Sequence, residues 1–302
     1  MEDESPYRYS LETTSVSDLT EAFHRDGILV LQQALPATAL EEWQSFCQDY
    51  FGKCFETLYE RGHTQHAEHK TDDGDYVLGL GAKHGFREIV MRSPGRYELS
   101  LLNEEQAPAT SNVLEPLSRL IPSLLEHLQM DTLKLCHLSL LVATPGSDQQ
   151  TWHADGGHVN ILEHEPCHVF NVFIPLQDVT LENGPTEFRP GTHYHTRNLG
   201  PMMLAAKCRK TLKPQYMATL QVGDACIFDY RILHRGSPNR SRQQNRNFLV
   251  LAFSQPWFTD VLNFPKRSMM KQAEAPQMES SNNDNNDDID DNDDDDEKAT
   301  NG

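Results

Sequence analysis

No stretch of this sequence approaches the roughly 20 consecutive apolar residues that span a bilayer. No basic-then-apolar leader opens it either, since the chain begins MEDESPYRYS. That start matches neither a secretory signal nor an Arg-rich transit peptide, and the final ATNG is no peroxisomal or ER-retention address. The six cysteines (Cys47, Cys54, Cys136, Cys167, Cys208, Cys226) are scattered without a CxxC pair. Reduced, mostly buried thiols and an intracellular, cytoplasmic location are expected. Positive charge is also scarce: 26 Lys and Arg face 45 Asp and Glu, for a net charge of −19. Residues 272–302 hold 12 of the acids and one lysine, and the body without them still stands at −8. Broad binding to a phosphate backbone is therefore not expected, and neither is a nucleic-acid or membrane partner.

What is present reads as one domain over residues 18–271, after a flexible N-terminus (1–17) and before a disordered, solvated acidic tail (272–302). The domain divides into a helical part (18–130) and a β-barrel core (131–260). Leu19, Ala22 and Phe23 share a helical face that Gly27 stops. Ile28–Leu31 is a short apolar strand. After Pro36, the residues Leu40, Trp43, Phe46, Cys47 and Tyr50 recur at helical spacing. Residues 52–109 are expected to be irregular, and 113–128 helical, with Pro116 and Pro122 kinking or splitting the segment. From residue 133 the pattern turns to strands: LKLCHLSLLVA, HVFNVFIPL, YMATLQV, CIFDYRIL and FLVLAF, separated by turns. Short strands with regular turns predict a sandwich or barrel, so the fold is mixed and mainly β, with N-terminal and flanking helices.

The chemistry concentrates in Gln150-Thr-Trp-His153-Ala-Asp155. On a strand, residues two apart face the same way, so His153 and Asp155 project together. An imidazole and a carboxylate are two members of a facial triad, in which two histidines and one carboxylate leave open positions on Fe(II). His193 and His195 in the turn PGTHYH compete with His234 to be the third. His234 ends an apolar run, where a ligand is held more rigidly than in a turn. Arg246 follows 12 residues later at the start of the last strand. If those two strands are neighbours, its guanidinium enters the same cavity and can hold a carboxylate through two parallel hydrogen bonds. Arg240 and Arg242 are nearby spares.

These pieces together resemble the phytanoyl-CoA dioxygenase family of Fe(II)/2-oxoglutarate oxygenases. The matching segments are HRDGILVLQQALP, QTWHAD, ENGPTEFRPGTH, GDACIFDYRILHRGS and the late Arg246, spread over residues 18–255. The resemblance implies a double-stranded β-helix, a cupin-like jelly roll. It implies Fe(II) on His153, Asp155 and His234, and the far carboxylate of 2-oxoglutarate on Arg246. Gln150 and Thr192 are implied as further contacts to the cosubstrate, with dioxygen as co-reactant. Halogenating relatives lack the carboxylate, so Asp155 argues against halogenation.

Other features have plainer readings. His63, His66 and His69 would spread over too wide a helical arc to share a metal. GLGAKHG (79–85) fits neither the Rossmann nor the Walker spacing and reads as a loop. Lys83, Arg87, Arg92 and Arg96 form a basic cluster that either greets an anionic substrate or offsets nearby acids. Asp229 and Arg231 are expected to do structural work beside His234. The function expected is a dioxygenase that oxidises, most simply hydroxylates, a small organic substrate with release of succinate and carbon dioxide. The alternatives are a non-catalytic iron/2-oxoglutarate-binding sensor or scaffold, and a peptide or nucleic-acid demethylase. Loops at 55–110 and 195–215 are expected to select the substrate. No feature of the sequence bears on oligomeric state.

Overall fold

Ser15 starts the first helix, its hydroxyl accepting the Asp18 amide at 3.1 Å. Helix α1 (Val16–Asp26) turns Leu19, Ala22 and Phe23 to the core and ends at Gly27. Pro36 does not open the next helix. A 3-10 turn (Ala37–Ala39) comes first, and α2 (Glu41–Glu60) follows, burying Trp43, Cys47, Tyr50, Cys54 and Leu58 along one stripe. The computed structural model describes residues 6–61, 78, 80–102, 104, 107–117, 134–160, 162–195, 213–259 and 264–270. The acidic tail, the histidines at 63, 66 and 69, residues 118–128 of the expected helix and residues 196–212 lie outside them.

Eight strands form the major sheet, in the order β1-β2-β9-β6-β11-β5-β4-β3. They are β1 (Arg8–Ser10), β2 (Ile28–Gln32), β3 (Ile89–Ser93), β4 (Arg96–Ser100), β5 (Lys134–Ala143), β6 (Val169–Pro175), β9 (Ala225–Asp229) and β11 (Arg246–Ser254). A minor sheet holds β7 (Thr186–Phe188), β8 (Tyr216–Ala218) and β10 (His234–Gly236), in the order β10-β7-β8. A short helix, α3 (Ser111–Leu117), and 3-10 turns at Ala82–His84 and Thr192–Tyr194 complete the described elements.

The major strands read as unbroken apolar runs because both faces are buried. Leu29, Leu31, Val172, Ile174, Ile227, Leu249 and Leu251 pack with Trp43 and Cys47 of α2 in one core. Ile28, Val30, Phe173, Phe228, Phe248 and Val250 pack with Phe188 and Tyr216 of the minor sheet in the other.

Three expectations are corrected. Arg8–Ser10, within the N-terminal stretch, forms a strand: it pairs parallel to β2, and Arg8 bonds the buried Asp224 at 2.9 Å. Residues 52–109 are not all irregular, because α2 runs to Glu60 and β3–β4 form a hairpin that extends the sheet. Arg96 and Glu98 hid that hairpin, since they place charge where the pattern leads one to expect apolar side chains. CIFDYRIL is not one strand either. It breaks after Asp229, where the Ile232 amide bonds Asp229 O at 2.9 Å, and resumes at His234 in the opposite sheet. The strands carrying His234 and Arg246 are therefore not neighbours. They face each other.

Asp229 and Arg231 hold that break. Both are 1% exposed, and Arg231 donates to the two Asp229 oxygens at 2.9 and 2.6 Å. Removing one member strands a buried charge. Asp229→Ala is expected to cost about 3–5 kcal/mol in urea unfolding, and adding Arg231→Met should recover much of that loss.

Candidate active site

His153 and His234 form an isolated antiparallel bridge, with backbone hydrogen bonds of 3.0 Å (His153 N to His234 O) and 2.8 Å (the reverse). The bridge sets the two imidazoles side by side, ring centroids 4.4 Å apart. Each Nδ1 lies against a backbone carbonyl: that of His153 is 2.9 Å from Thr151 O, and that of His234 is 3.1 Å from Ile232 O. A proton on Nδ1 fixes the tautomer and frees the Nε2 lone pair. Asp155 points Oδ1 at both, 3.9 Å from His153 Nε2 and 3.5 Å from His234 Nε2. One ligand atom from each of the three residues falls within a 4.8 Å cluster, the only such group among the described residues. Burial pushes the His234 pKa down to about 4, aided by His153 and opposed by Asp155, so the imidazole is neutral and able to ligate at neutral pH. Two imidazoles and one carboxylate are the donor set of a divalent-metal facial triad, and the residues present fit Fe(II).

Neighbours hold this geometry. Asn171 on β6 donates to Asp155 Oδ2 at 2.7 Å, which leaves Oδ1 for the metal. Trp152 is flanked by Arg235 and Arg189, whose guanidinium carbons lie 4.4 and 5.1 Å from its ring centroid. Gly156 lies against Tyr230, where a Cβ would come within 1.9 Å of the ring. Leu233, just before His234, donates its amide to Thr192 Oγ1 at 2.9 Å.

A cavity of about 820 Å³ opens over the triad. Val169, Phe173, Val250 and Phe258 are among its apolar walls, and Gln150, Glu98, His137 and Arg246 bring polar groups. Arg246 is 1% exposed, lies over Phe248 and donates Nη1 to Gly184 O. Gly184, the glycine of ENGP, has φ of 85°, and a Cβ there would meet Pro238 O at 2.3 Å. Glu98 accepts from Arg92, His137 and Ser139 at 2.6, 3.0 and 2.8 Å. Burial pushes its carboxyl up, but Arg92 and His137 overcome this and hold it well below the usual range.

The expected residues divide. His153, Asp155, His234, Gln150 and Arg246 all line one cavity. Gln150 Oε1 is taken by the Gly236 amide at 2.9 Å, which leaves its amide nitrogen to serve a ligand. Thr192 does not reach the cavity. It is 1% exposed, and its hydroxyl donates to Arg189 O at 2.7 Å while accepting Leu233 N, so it positions His234 from behind. His193 bonds His24 O at 2.9 Å, apart from the triad. Arg240 and Arg242 are exposed. The basic cluster is no patch: Lys83 and Arg87 are exposed, Arg92 pairs with Glu98, and Arg96 is buried. Asn171, Glu98 and His137 were not anticipated. Asn171 had a visible signal, as the one polar residue inside the buried run VFNVFIP.

The class this fold and site define is the non-haem iron oxygenases. The chain belongs to the phytanoyl-CoA dioxygenase (PhyH) family, whose model matches residues 23–248. That family works with Fe(II) and 2-oxoglutarate on a double-stranded β-helix. Among curated proteins, the chain is 25% identical to the dioxygenase FrzG of Cladobotryum sp over 237 residues, 77% of this chain and 72% of FrzG. It is 27% identical to the dioxygenase hkm4 of Aspergillus hancockii over 113 residues, 36% of this chain and only 34% of hkm4. Of solved structures, AviO1 from Streptomyces viridochromogenes Tue57 superposes with a TM-score of 0.56 at 19% identity, covering 82% of this chain and 99% of AviO1.

Asn171→Ala is expected to weaken metal binding roughly 10- to 100-fold without unfolding the chain, as the loss of an outer partner does. Titration with Fe(II) or Co(II) checks it. A pH effect arises from His168, which burial pushes down to about 4. Unfolded, it titrates near 6.5, so the unfolded state binds more protons between those values. Stability should be full above about pH 6.5 and fall on acidification toward about pH 4. Urea midpoints across that range should show a shallower fall in His168→Gln.

Proposed function

We propose that this protein is an Fe(II)/2-oxoglutarate-dependent dioxygenase that oxidises, most simply hydroxylates, a small organic substrate. The observation that carries the reading is the meeting of His153, Asp155 and His234 in a 4.8 Å cluster on the wall of a cavity that Arg246 also lines. His153 Nε2, Asp155 Oδ1 and His234 Nε2 would hold the metal. Fe(II) held there would supply the oxidising power: one oxygen atom of dioxygen would go into succinate as 2-oxoglutarate loses carbon dioxide, and the other would go to the substrate.

The chain's own residues bind and orient. Arg246 faces the distal carboxylate of 2-oxoglutarate, and Gly184 O keeps its guanidinium from turning away. Asn171 holds Asp155 to one metal-facing oxygen. Gln150 offers its amide nitrogen to the cosubstrate. Phe173, Val250, Ala252 and Phe258 keep the chamber poor in water, which suits an oxidant that must meet a C–H bond rather than solvent. About 820 Å³ exceeds what a five-carbon diacid fills, and the remainder receives the substrate beneath Arg92, Glu98 and His137.

The test needs no substrate. Apo-protein loaded with Fe(II) and 2-oxoglutarate without oxygen should develop a visible charge-transfer band that requires both ligands. Asp155→Ala should abolish it, and Arg246→Met should shift half-saturation upward by roughly 30-fold or more. Admitting oxygen should then yield succinate. A folded, iron-loaded protein with no band would sink the assignment, and a band without succinate would identify a sensor.

A further inference from the structure

Arg92, Glu98 and His137 form a second polar cluster on the cavity wall, built without any of the metal ligands. Three strands bring it together. Glu98 on β4 stands opposite Leu141 of β5, so it shares a face of the sheet with His137 and Ser139, which alternate with their neighbours along β5. On β3, Met91 pairs with Tyr97 and Ser93 with Arg96, which leaves Arg92 as the extra residue of a bulge. A bulge re-aims its side chain, here toward Glu98.

The Glu98 carboxylate accepts from Arg92 Nε, His137 Nε2 and Ser139 Oγ at 2.6, 3.0 and 2.8 Å. A carboxylate only accepts, so Nε2 of His137 carries its proton, and in the neutral ring Nδ1 keeps a lone pair. That Nδ1 and the two Nη groups of Arg92 make no hydrogen bond among the described residues, and both side chains line the cavity. One aromatic ring backs both: the Phe264 centroid lies 4.9 Å from the His137 ring and 5.2 Å from Arg92 Cζ. The cluster thus offers the cavity a fixed donor and a fixed acceptor. Its one cation is already matched by Glu98, which these donors hold ionised despite its burial. A carboxylate ligand would meet a paired cation, a nearby anion and a lone pair, whereas a neutral donor–acceptor group satisfies both open positions.

The same face leads to the metal ligands. His137 and Asn171 stand on either side of Ala252, and Asn171 bonds Asp155 at 2.7 Å. At a strand spacing of about 4.8 Å, His137 and Asn171 are roughly 10 Å apart. Only the Ala252 methyl group stands in that row between them, and Ala252 lines the cavity.

We propose that Arg92 and His137, held by Glu98, clamp the substrate by a neutral cyclic amide, Arg92 donating to its carbonyl oxygen and His137 Nδ1 accepting from its N–H. The rest of the substrate then lies along Ala252 toward the triad. This deepens the oxygenase reading above and rests on it. A lactam suits the clamp because its C=O and N–H share one rigid edge. A hydroxyl beside a carbonyl has the same two functions but closes them on each other.

The test is ligand-observed NMR titration of the full chain, loaded with zinc in place of iron and with 2-oxoglutarate. Three probes of similar size are compared: the lactam dihydroquinolinone, the lactone dihydrocoumarin and the carboxylate phenylpropionate. Dihydroquinolinone should bind with a Kd below about 5 mM, and roughly tenfold or more tighter than either of the others. His137→Phe keeps a ring against Phe264 but loses Nδ1, and it should erase the preference for lactam over lactone. Arg92→Met should weaken lactam and lactone by a similar factor, roughly tenfold. Urea unfolding checks that the variants fold, and the ranking of probes on wild type needs no variant. Absence of lactam binding, a lactone or carboxylate that binds as well as the lactam, or a preference that survives His137→Phe would each overturn the inference. The preference does not follow overall stability, so a purely structural cluster leaves it unmoved. Binding here needs no iron, so a missing charge-transfer band would bring down the oxygenase reading alone.

Discussion

The interior depends on a bridge of two hydrogen bonds between His153 and His234. The bridge joins the end of the QTWHAD segment to the first residue of β10, and it fixes the separation of two imidazoles that lie about 80 residues apart in the chain. Much of the surrounding structure protects that bridge. Trp152, with the guanidiniums of Arg235 and Arg189 over its ring, holds one strand of it, and Thr192 on Leu233 N holds the other. Asp229 and Arg231 make the break that lets the chain leave one sheet and enter the other just before His234.

The inner face of the major sheet grades from apolar to charged. At one end, Ile28, Val30, Phe228 and Phe248 close against the minor sheet. Further along the same face lie Asn171, Glu98, Arg96 and Arg246, each bonded to a neighbour. Burying such groups is tolerated because nearly every polar atom finds a partner, and the atoms that do not are informative. Arg96 Nη1 and Arg246 Nε are two such atoms among the described residues. The same accounting explains Gly184, whose carbonyl anchors Arg246 and whose missing side chain lets Ser237 and Pro238 pass close by.

Much of this was legible residue by residue. The apolar runs marked β5, β6, β9 and β11, because strands buried on both faces must be apolar throughout. The HxD segment and the LHRGS segment named the three residues, His153, Asp155 and His234, that the structure brings within 4.8 Å of one another. The hairpin Ile89–Ser100 was not legible, since its inward side chains include Arg96 and Glu98 and so reverse the usual pattern. Thr192 was misread for a related reason. A hydroxyl in a turn beside a site can face the ligand or the backbone, and only the position of Leu233 decides which.

The sequence by itself determined the class of the protein and the apolar strands β5, β6, β9 and β11, because those follow from local motifs and burial pattern. Only the tertiary structure decided that His234 and Arg246 act from opposing sheets. The same holds for Asn171 restraining Asp155, and for Arg96 belonging to the interior rather than to a surface patch. Those facts depend on cross-strand register, which pairs residues far apart in the chain and leaves no periodic trace in the sequence.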